Sequence, residues 1–148
     1  MRVITPNVFT CEKCGHRNVR QKNTYKTTKM GARPDLGNYV FHSGWEANVA
    51  RYLNLLKEQG KIESWDYEVK RFDFPITKGV KSYLPDFLIN KNDFSHEWWE
   101  VKGYWTARAK TAITRFKKYY PKENIRLIER KEYKEIEKEF KEVIPNWE

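Results

Sequence analysis

A mixed β-sheet flanked by helices, an α/β architecture in the order α-β-β-β-α-β-α, is the fold class that residues 41–148 predict. Three observations point to it. Apolar residues recur at helical spacing in three stretches. Shorter runs rich in β-branched and aromatic residues lie between them. Gly, Pro and Asn mark most of the boundaries. With 148 residues, 39% of them hydrophobic, the chain suits one domain with a proper core.

The first helix is read from SGWEANVARYLNLLKEQG. Trp45, Val49, Leu53 and Leu56 share a face, Ser43 is a candidate N-cap, and Gly60 follows the end. Residues 65–76 alternate imperfectly and read as a strand. A turn at Lys78-Gly79 leads to a second strand, 82–89, and a loop across Asn90–Phe94 to a third, 96–102, closed by Gly103. Residues 106–120 read as a helix with Thr106 as cap and Pro121 beyond its end. Residues 124–130 read as a fourth strand. Residues 133–144 read as a last amphipathic helix, with Tyr133, Ile136, Phe140 and Val143 or Ile144 turned inward. Such an order implies a sheet covered by helices.

Residues 1–40 form a separate unit, a small Cys-x-x-Cys segment followed by a basic arm or linker. They hold 8 Lys and Arg against 2 Asp and Glu, while residues 41–148 hold 21 against 18. The whole chain carries +9, which favours a polyanionic partner, nucleic acid or an acidic membrane surface. No apolar stretch approaches the ~20 residues of a membrane span, and the N-terminus lacks the apolar core of a secretory signal. A cytoplasmic protein is the expectation.

The third strand, HEWWEVK, carries the chemistry. Glu100 and Lys102 fall on one face of it, Trp99 and Val101 on the other. Two charges in an apolar strand need a partner or an ion. Asp86, in SYLPDFLI, stands on the strand before. Two carboxylates and a lysine on neighbouring strands suit a hard divalent cation such as Mg²⁺ and the hydrolysis of a phosphodiester. Asp86 and Glu100 would supply ligands, and Lys102 would orient water or offset charge on the phosphate. Glu-x-Lys by itself is a weak signal, for it occurs five times here. The plain alternative is an ion pair at the end of an edge strand. Glu46 is a further acidic candidate, although Ser43-Gly-Trp-Glu46 is also a capping box.

Cys11 and Cys14 make half of a zinc site. Three readings stay open: a degenerate knuckle, a Zn²⁺ site completed by His16 and His42, and a site shared across a homodimer. Two basic sets are candidates for phosphate contact. Arg17, Arg20, Lys22, Lys26, Lys29 and Arg33 line the arm. Arg108, Lys110, Arg115, Lys117 and Lys118 lie on or near the second helix. Trp98, Tyr104 and Trp105 are candidates for stacking on unpaired bases.

Taken together, Pro85-Asp86, Glu100-Val-Lys102 and the element order resemble the PD-(D/E)XK nuclease superfamily, with its restriction-endonuclease-like fold. Ser43-Gly-Trp-Glu46, Tyr83-Leu-Pro-Asp86-Phe87 and Glu100-Val-Lys-Gly-Tyr-Trp105 are most similar to phage endonuclease I-type junction-resolving enzymes, over roughly residues 41–130. That resemblance implies Asp86 and Glu100 as metal ligands, Lys102 as the catalytic lysine and Glu46 as the helical acidic residue. It also implies Mg²⁺ or Mn²⁺, a homodimer and paired cuts in branched DNA, in a prokaryotic cell or phage-infected host. The Cys segment has no counterpart in that family. The expected function is therefore a metal-dependent, structure-selective DNA endonuclease, a Holliday-junction resolvase. A restriction-, repair- or transposase-like nuclease of the same fold and a non-catalytic zinc-knuckle DNA-binding protein are the alternatives.

Overall fold

The computed structural model describes residues 29–148 throughout and, before them, three short strands as backbone. These strands, β1 (Arg2–Thr5), β2 (Val8–Thr10) and β3 (Arg17–Val19), pair antiparallel in that order. Cys11, Cys14, His16, Arg20, Lys22 and Lys26, and the side chain of Arg17, lie outside the described residues.

The chain is mixed α/β. It continues through β4 (Gly31–Ala32), a 3₁₀ turn at Pro34–Leu36, β5 (Val40–Phe41) and helix α1 (Gly44–Glu58). Then come β6 (Ser64–Tyr67), β7 (Phe72–Asp73), β8 (Ser82–Tyr83), β9 (Phe87–Asn90) and β10 (His96–Lys102). Helix α2 (Ala107–Tyr119), β11 (Ile125–Glu129) and helix α3 (Arg130–Phe140) complete it. The main sheet runs β11-β10-β9-β6. Strand β10 is antiparallel to β9 and parallel to β11, with α2 forming the crossover that parallel strands require. It is a central strand, not the edge strand that the ion-pair alternative assumed.

Alternation along β10 splits the interior in two. Trp99 and Val101 join a core built with α1 and α3 from Val49, Leu53, Phe87, Ile128 and Tyr133. Trp98, on the opposite face, joins a second core with Phe72, Tyr83, Ile113 and Phe116 from β7, β8 and α2. Both helix caps expected from the sequence form. Ser43 Oγ accepts from the Glu46 amide at 3.2 Å, and Thr106 Oγ1 from the Ala109 amide at 3.1 Å.

Two expected strands are broken. The stretch 65–76 ends its ladder at Tyr67. Glu68 takes a left-handed backbone, with φ 50°, and its amide turns to the Asp86 carbonyl at 2.8 Å. The stretch 82–89 breaks at Leu84-Pro85-Asp86, where proline has no amide proton to give a ladder. The pieces between the breaks, β7 and β8, pair with each other as a separate ribbon. Helix α3 starts at Arg130 rather than 133 and ends at Phe140. Ile144 is buried beyond it and Val143 is exposed.

Residues 31–41 pack into the main core instead of forming a free arm. Leu36 and Phe41 are buried in it. Asp35 takes a two-point ion pair from Arg51 on α1, at 2.7 and 3.1 Å. Arg33 is buried, donates to Glu148 at 2.8 Å, and also reaches the Gly31 and Lys29 carbonyls. It is part of the packing here and not a phosphate contact on an arm. Among the described residues no helix is long and apolar enough to cross a membrane.

Asn48, wholly buried on α1, uses its full hydrogen-bonding capacity. Its Nδ2 donates to Tyr133 Oη at 2.9 Å and to the Glu148 carbonyl at 2.7 Å. Its Oδ1 accepts from Arg51 Nη1 at 2.9 Å and from the Glu148 amide at 3.1 Å. Asn48→Leu strands these partners and is expected to lower unfolding stability by about 2–3 kcal/mol in denaturant titration. The Arg51 hydrogen bond holds the Asp35 carboxyl below its ordinary 3.8. A lowered acid stabilises the fold above its unfolded pKa and loses that contribution as pH falls through the folded one. Asp35→Asn should therefore be less stable than the parent at neutral pH, with the gap closing below about pH 4 in acid titrations.

Candidate active site

The four sequence candidates come from three segments, α1, the turn before β9 and β10, at one end of the main sheet. Asp86 stands where Pro85 has ended a strand, just before β9. Its Oδ2 accepts from the Val101 amide on β10 at 2.7 Å. That bond fixes Asp86 against the strand that carries Glu100 and Lys102. Glu100 is 3% exposed, Asp86 and Glu46 each 8%.

Each glutamate is held by a tyrosine. Tyr83 Oη donates to Glu100 Oε2 at 2.5 Å, and Lys102 Nζ meets Glu100 Oε1 at 2.6 Å. Tyr67 Oη donates to Glu46 Oε2 at 2.6 Å, joined there by the His42 amide at 3.1 Å. Glu46 Oε1 takes the Ser43 hydroxyl at 2.9 Å. Glu46 thus braces the start of α1 through the Ser43 hydroxyl and the His42 amide, a variant of the capping box, and also lines the neighbouring cleft.

Electrostatics follow from this crowding. Burial, then the charges of Glu100 and Glu46, push the Asp86 carboxyl well above its usual range, against the pull of the Val101 amide and Lys102. Burial works against the Lys102 ammonium, but Glu100, Asp86 and Glu46 outweigh it and hold its pKa above the ordinary lysine value. The surrounding carboxylates thus favour the charged form of Lys102. Burial and the neighbouring carboxylates push both Tyr67 and Tyr83 far up, so each stays a neutral donor.

As they stand, no three Asp, Glu, His or Cys side chains among the described residues converge on one ion. Glu46 and Glu100 spend both oxygens on neighbours. The donor set still fits a hard divalent cation in chemistry. Its oxygens are buried carboxylates, negative charge exceeds the one ammonium beside it, and Asp86 Oδ1 accepts no hydrogen bond among the described residues. Asp86 and Glu100 are the side chains that would hold such an ion, with Glu46 beside them.

A cleft of about 680 Å³ opens beside this cluster, lined in part by Glu46, Lys102, Gly103, Tyr104, Thr106 and Arg130 but not by Asp86 or Glu100. Its inner wall is Trp45, stacked on Tyr133 with 4.0 Å between ring centroids. Helix α2 leads away from the cleft with no acidic residue in its 13. Arg108, Lys110, Lys117 and Lys118 are exposed on it. Arg115 is half-buried and donates to the Val80 carbonyl at 2.6 Å, a structural task. Lys29 reaches the same cleft as Glu46.

A family model described as a protein of unknown function, DUF1064, matches residues 22–137. The chain belongs to the DUF1064 family. The match spans Glu46, Asp86, Glu100 and Lys102 and leaves out Cys11 and Cys14, so the family's common part is the domain that holds the carboxylates. No curated protein matches the chain. No solved structure does either.

The stacking candidates part company. Trp98 is buried against Phe72, and its indole donates to Glu123 at 2.7 Å, so it is core. Trp105 is tied to Glu129. Tyr104 alone of the three is exposed. Sequence reasoning gave no role to Tyr67, Tyr83 or Arg130. The only hint of Tyr83 was its place three residues before Asp86. Arg130 was hidden by starting the last helix too late.

An acid whose pKa is raised by folding destabilises the fold above its unfolded pKa, and the penalty fades as pH falls. Asp86→Asn keeps an acceptor for the Val101 amide and removes the charge. In metal-free buffer near pH 7.5 it should raise Tm, by about 2–4 °C per kcal/mol of repulsion relieved. The gain should shrink on acidification. A lower Tm at every pH would show that the Asp86 charge stabilises the fold instead.

Proposed function

We propose that this chain is a metal-dependent DNA endonuclease of the PD-(D/E)XK type, with branched DNA as its substrate class. The observation that carries the reading is the meeting of Asp86, Glu100, Glu46 and Lys102 at the end of the central strand, beside the cleft. The strand order β11-β10-β9-β6, with α1 ahead of it and α2 in the parallel crossover, suits a restriction-endonuclease-like core.

Hydrolysis of a phosphodiester breaks one P–O bond and forms another to a water oxygen. When bound, Mg²⁺ or Mn²⁺ polarises the phosphate and acidifies water. Asp86 and Glu100 would hold the ion, the first fixed by the Val101 amide and the second by Tyr83. Lys102, kept protonated by its neighbours, supplies positive charge where the phosphate gains negative charge. Glu46 reaches the cleft from α1, its oxygens held by Ser43, His42 and Tyr67, and adds negative charge beside the place for the ion. The acid-free cationic face of α2 offers a seat for the phosphate backbone away from the cut. A homodimer, which the family likeness implies, would place two such sites for paired incisions.

One observation favours a second reading, a DNA-binding protein without catalysis. Glu100 is already paired with Lys102 at 2.6 Å, which is how a purely structural ion pair would look.

Cleavage of an end-labelled four-way DNA junction with Mg²⁺ or Mn²⁺, against linear duplex of the same sequence, separates the readings. Paired incisions on the junction are expected, with Asp86→Asn and Glu100→Gln at least about a hundredfold slower while still binding DNA. Cutting of linear duplex as well would keep the nuclease and discard the branched substrate. Absence of cutting on both with either cation would sink the catalytic reading.

A further inference from the structure

Tyr104 is 74% exposed and lines the cleft two residues after Lys102. Among the described residues it has no aromatic partner, whereas the neighbouring rings are engaged. Trp45 lies on Tyr133 at 4.0 Å with only 8° between the planes, and Trp105 is tied to Glu129. A lone exposed aromatic is ordinary on a protein surface. What sets Tyr104 apart is the company it keeps. Lys29 and Arg130 line the same cleft, with Lys102, paired to Glu100, beside them, so one flat uncovered ring shares a space with cations. The acids there are committed. Glu46 is held by Ser43, His42 and Tyr67, and Glu148 pairs with Arg33 at 2.8 Å. A volume of about 680 Å³ is within the range of small-ligand sites.

A nucleotide has two recognisable parts, a flat base and a charged phosphate, and the cleft offers a counterpart to each. A base inside a continuous duplex is covered on both faces by its neighbours and has no face to give. A base at a branch point, gap or flap does. We propose that Tyr104 is the stacking platform for an unpaired nucleobase beside the phosphate to be cut, and so selects DNA with a strand discontinuity over continuous duplex. The inference rests on the nuclease reading for the identity of the cleft, but it is tested by binding alone.

The probe is DNA carrying the fluorescent base analogue 2-aminopurine at the branch point of a four-way junction or in a short gap, titrated with the full chain in EDTA. Continuous duplex of the same sequence is the reference. Wild type should quench the analogue and bind the interrupted DNA more tightly. Tyr104→Ala should abolish the quench and weaken binding to interrupted DNA about tenfold, the size of one base–aromatic stack, with duplex affinity changed less than about twofold. Tyr104→Phe should keep both the quench and the preference, because stacking needs the ring and not the hydroxyl. The proposal is overturned if Tyr104→Ala binds both DNAs as wild type does, or loses affinity for both equally. A wild-type chain that binds neither DNA overturns it together with the nuclease reading. Ring-dependent quenching by a chain that never cuts upholds the stack and removes only the catalysis.

Discussion

Three buried carboxylates at the end of one sheet create a charge problem that the rest of the structure answers. Asp86, Glu100 and Glu46 repel one another, and burial raises the cost. The chain meets it with neutral donors and a single cation. Tyr83 and Tyr67 bind the two glutamates, the Val101 amide binds Asp86, and Lys102 lies against Glu100. The donors come from three strands, β6, β8 and β10, so the acids are aligned by the packing of several elements. A surface cluster of acids would not need such support, since water would screen it. Charge repulsion kept inside a domain against this cost marks the cluster as a candidate functional site.

The two cores have different tasks. The one built by α1 and α3 fixes Glu46 through helix position, since Val49 and Leu53 hold α1 against the sheet. The one under α2 fixes Tyr83, whose ring lies against Phe116 with 5.3 Å between centroids. Strand β10 separates them and supplies side chains to both, Trp99 and Val101 one way and Trp98 the other. Glu100 and Lys102 continue the Trp98 face beyond the second core to the sheet end. That is why charged residues can follow tryptophans in one strand without breaking it.

Much of this was legible in the sequence where local signals are strong. HEWWEVK was read with the bounds the strand has, and α1 and α2 were placed within about a residue at most ends, because caps and apolar spacing act locally. The grouping of Asp86, Glu100 and Lys102 was legible because alternation and a short hairpin leave few ways to arrange them. What was not legible depends on distant partners. Nothing local shows that Tyr67 meets Glu46 21 residues earlier, or that Tyr83 meets Glu100 17 residues later. Arg33 read as a free cation because its partner, Glu148, lies 115 residues away. The apolar run around Pro85 favours one continuous strand, but proline has no amide to give the ladder and the strand breaks there. Apolar spacing marks the last helix only from Tyr133, whereas Arg130 and Lys131 already carry the helical turn onward from β11.

The ties around Asn48 bear on how the domain comes into being. Arg33 and Arg51 both reach Glu148, at 2.8 and 3.6 Å, and Asn48 binds that residue through both its amide and its carbonyl. Among the described residues, the segment before α1 and the one after α3 are thus clasped to the same helix. Closing so long a loop costs chain entropy that local contacts cannot offset early. On the ribosome, α1 emerges long before its clasp, and one wall of the cleft has to wait for Glu148. A nascent chain that has already made β10 and α2 holds its carboxylates without the finished pocket.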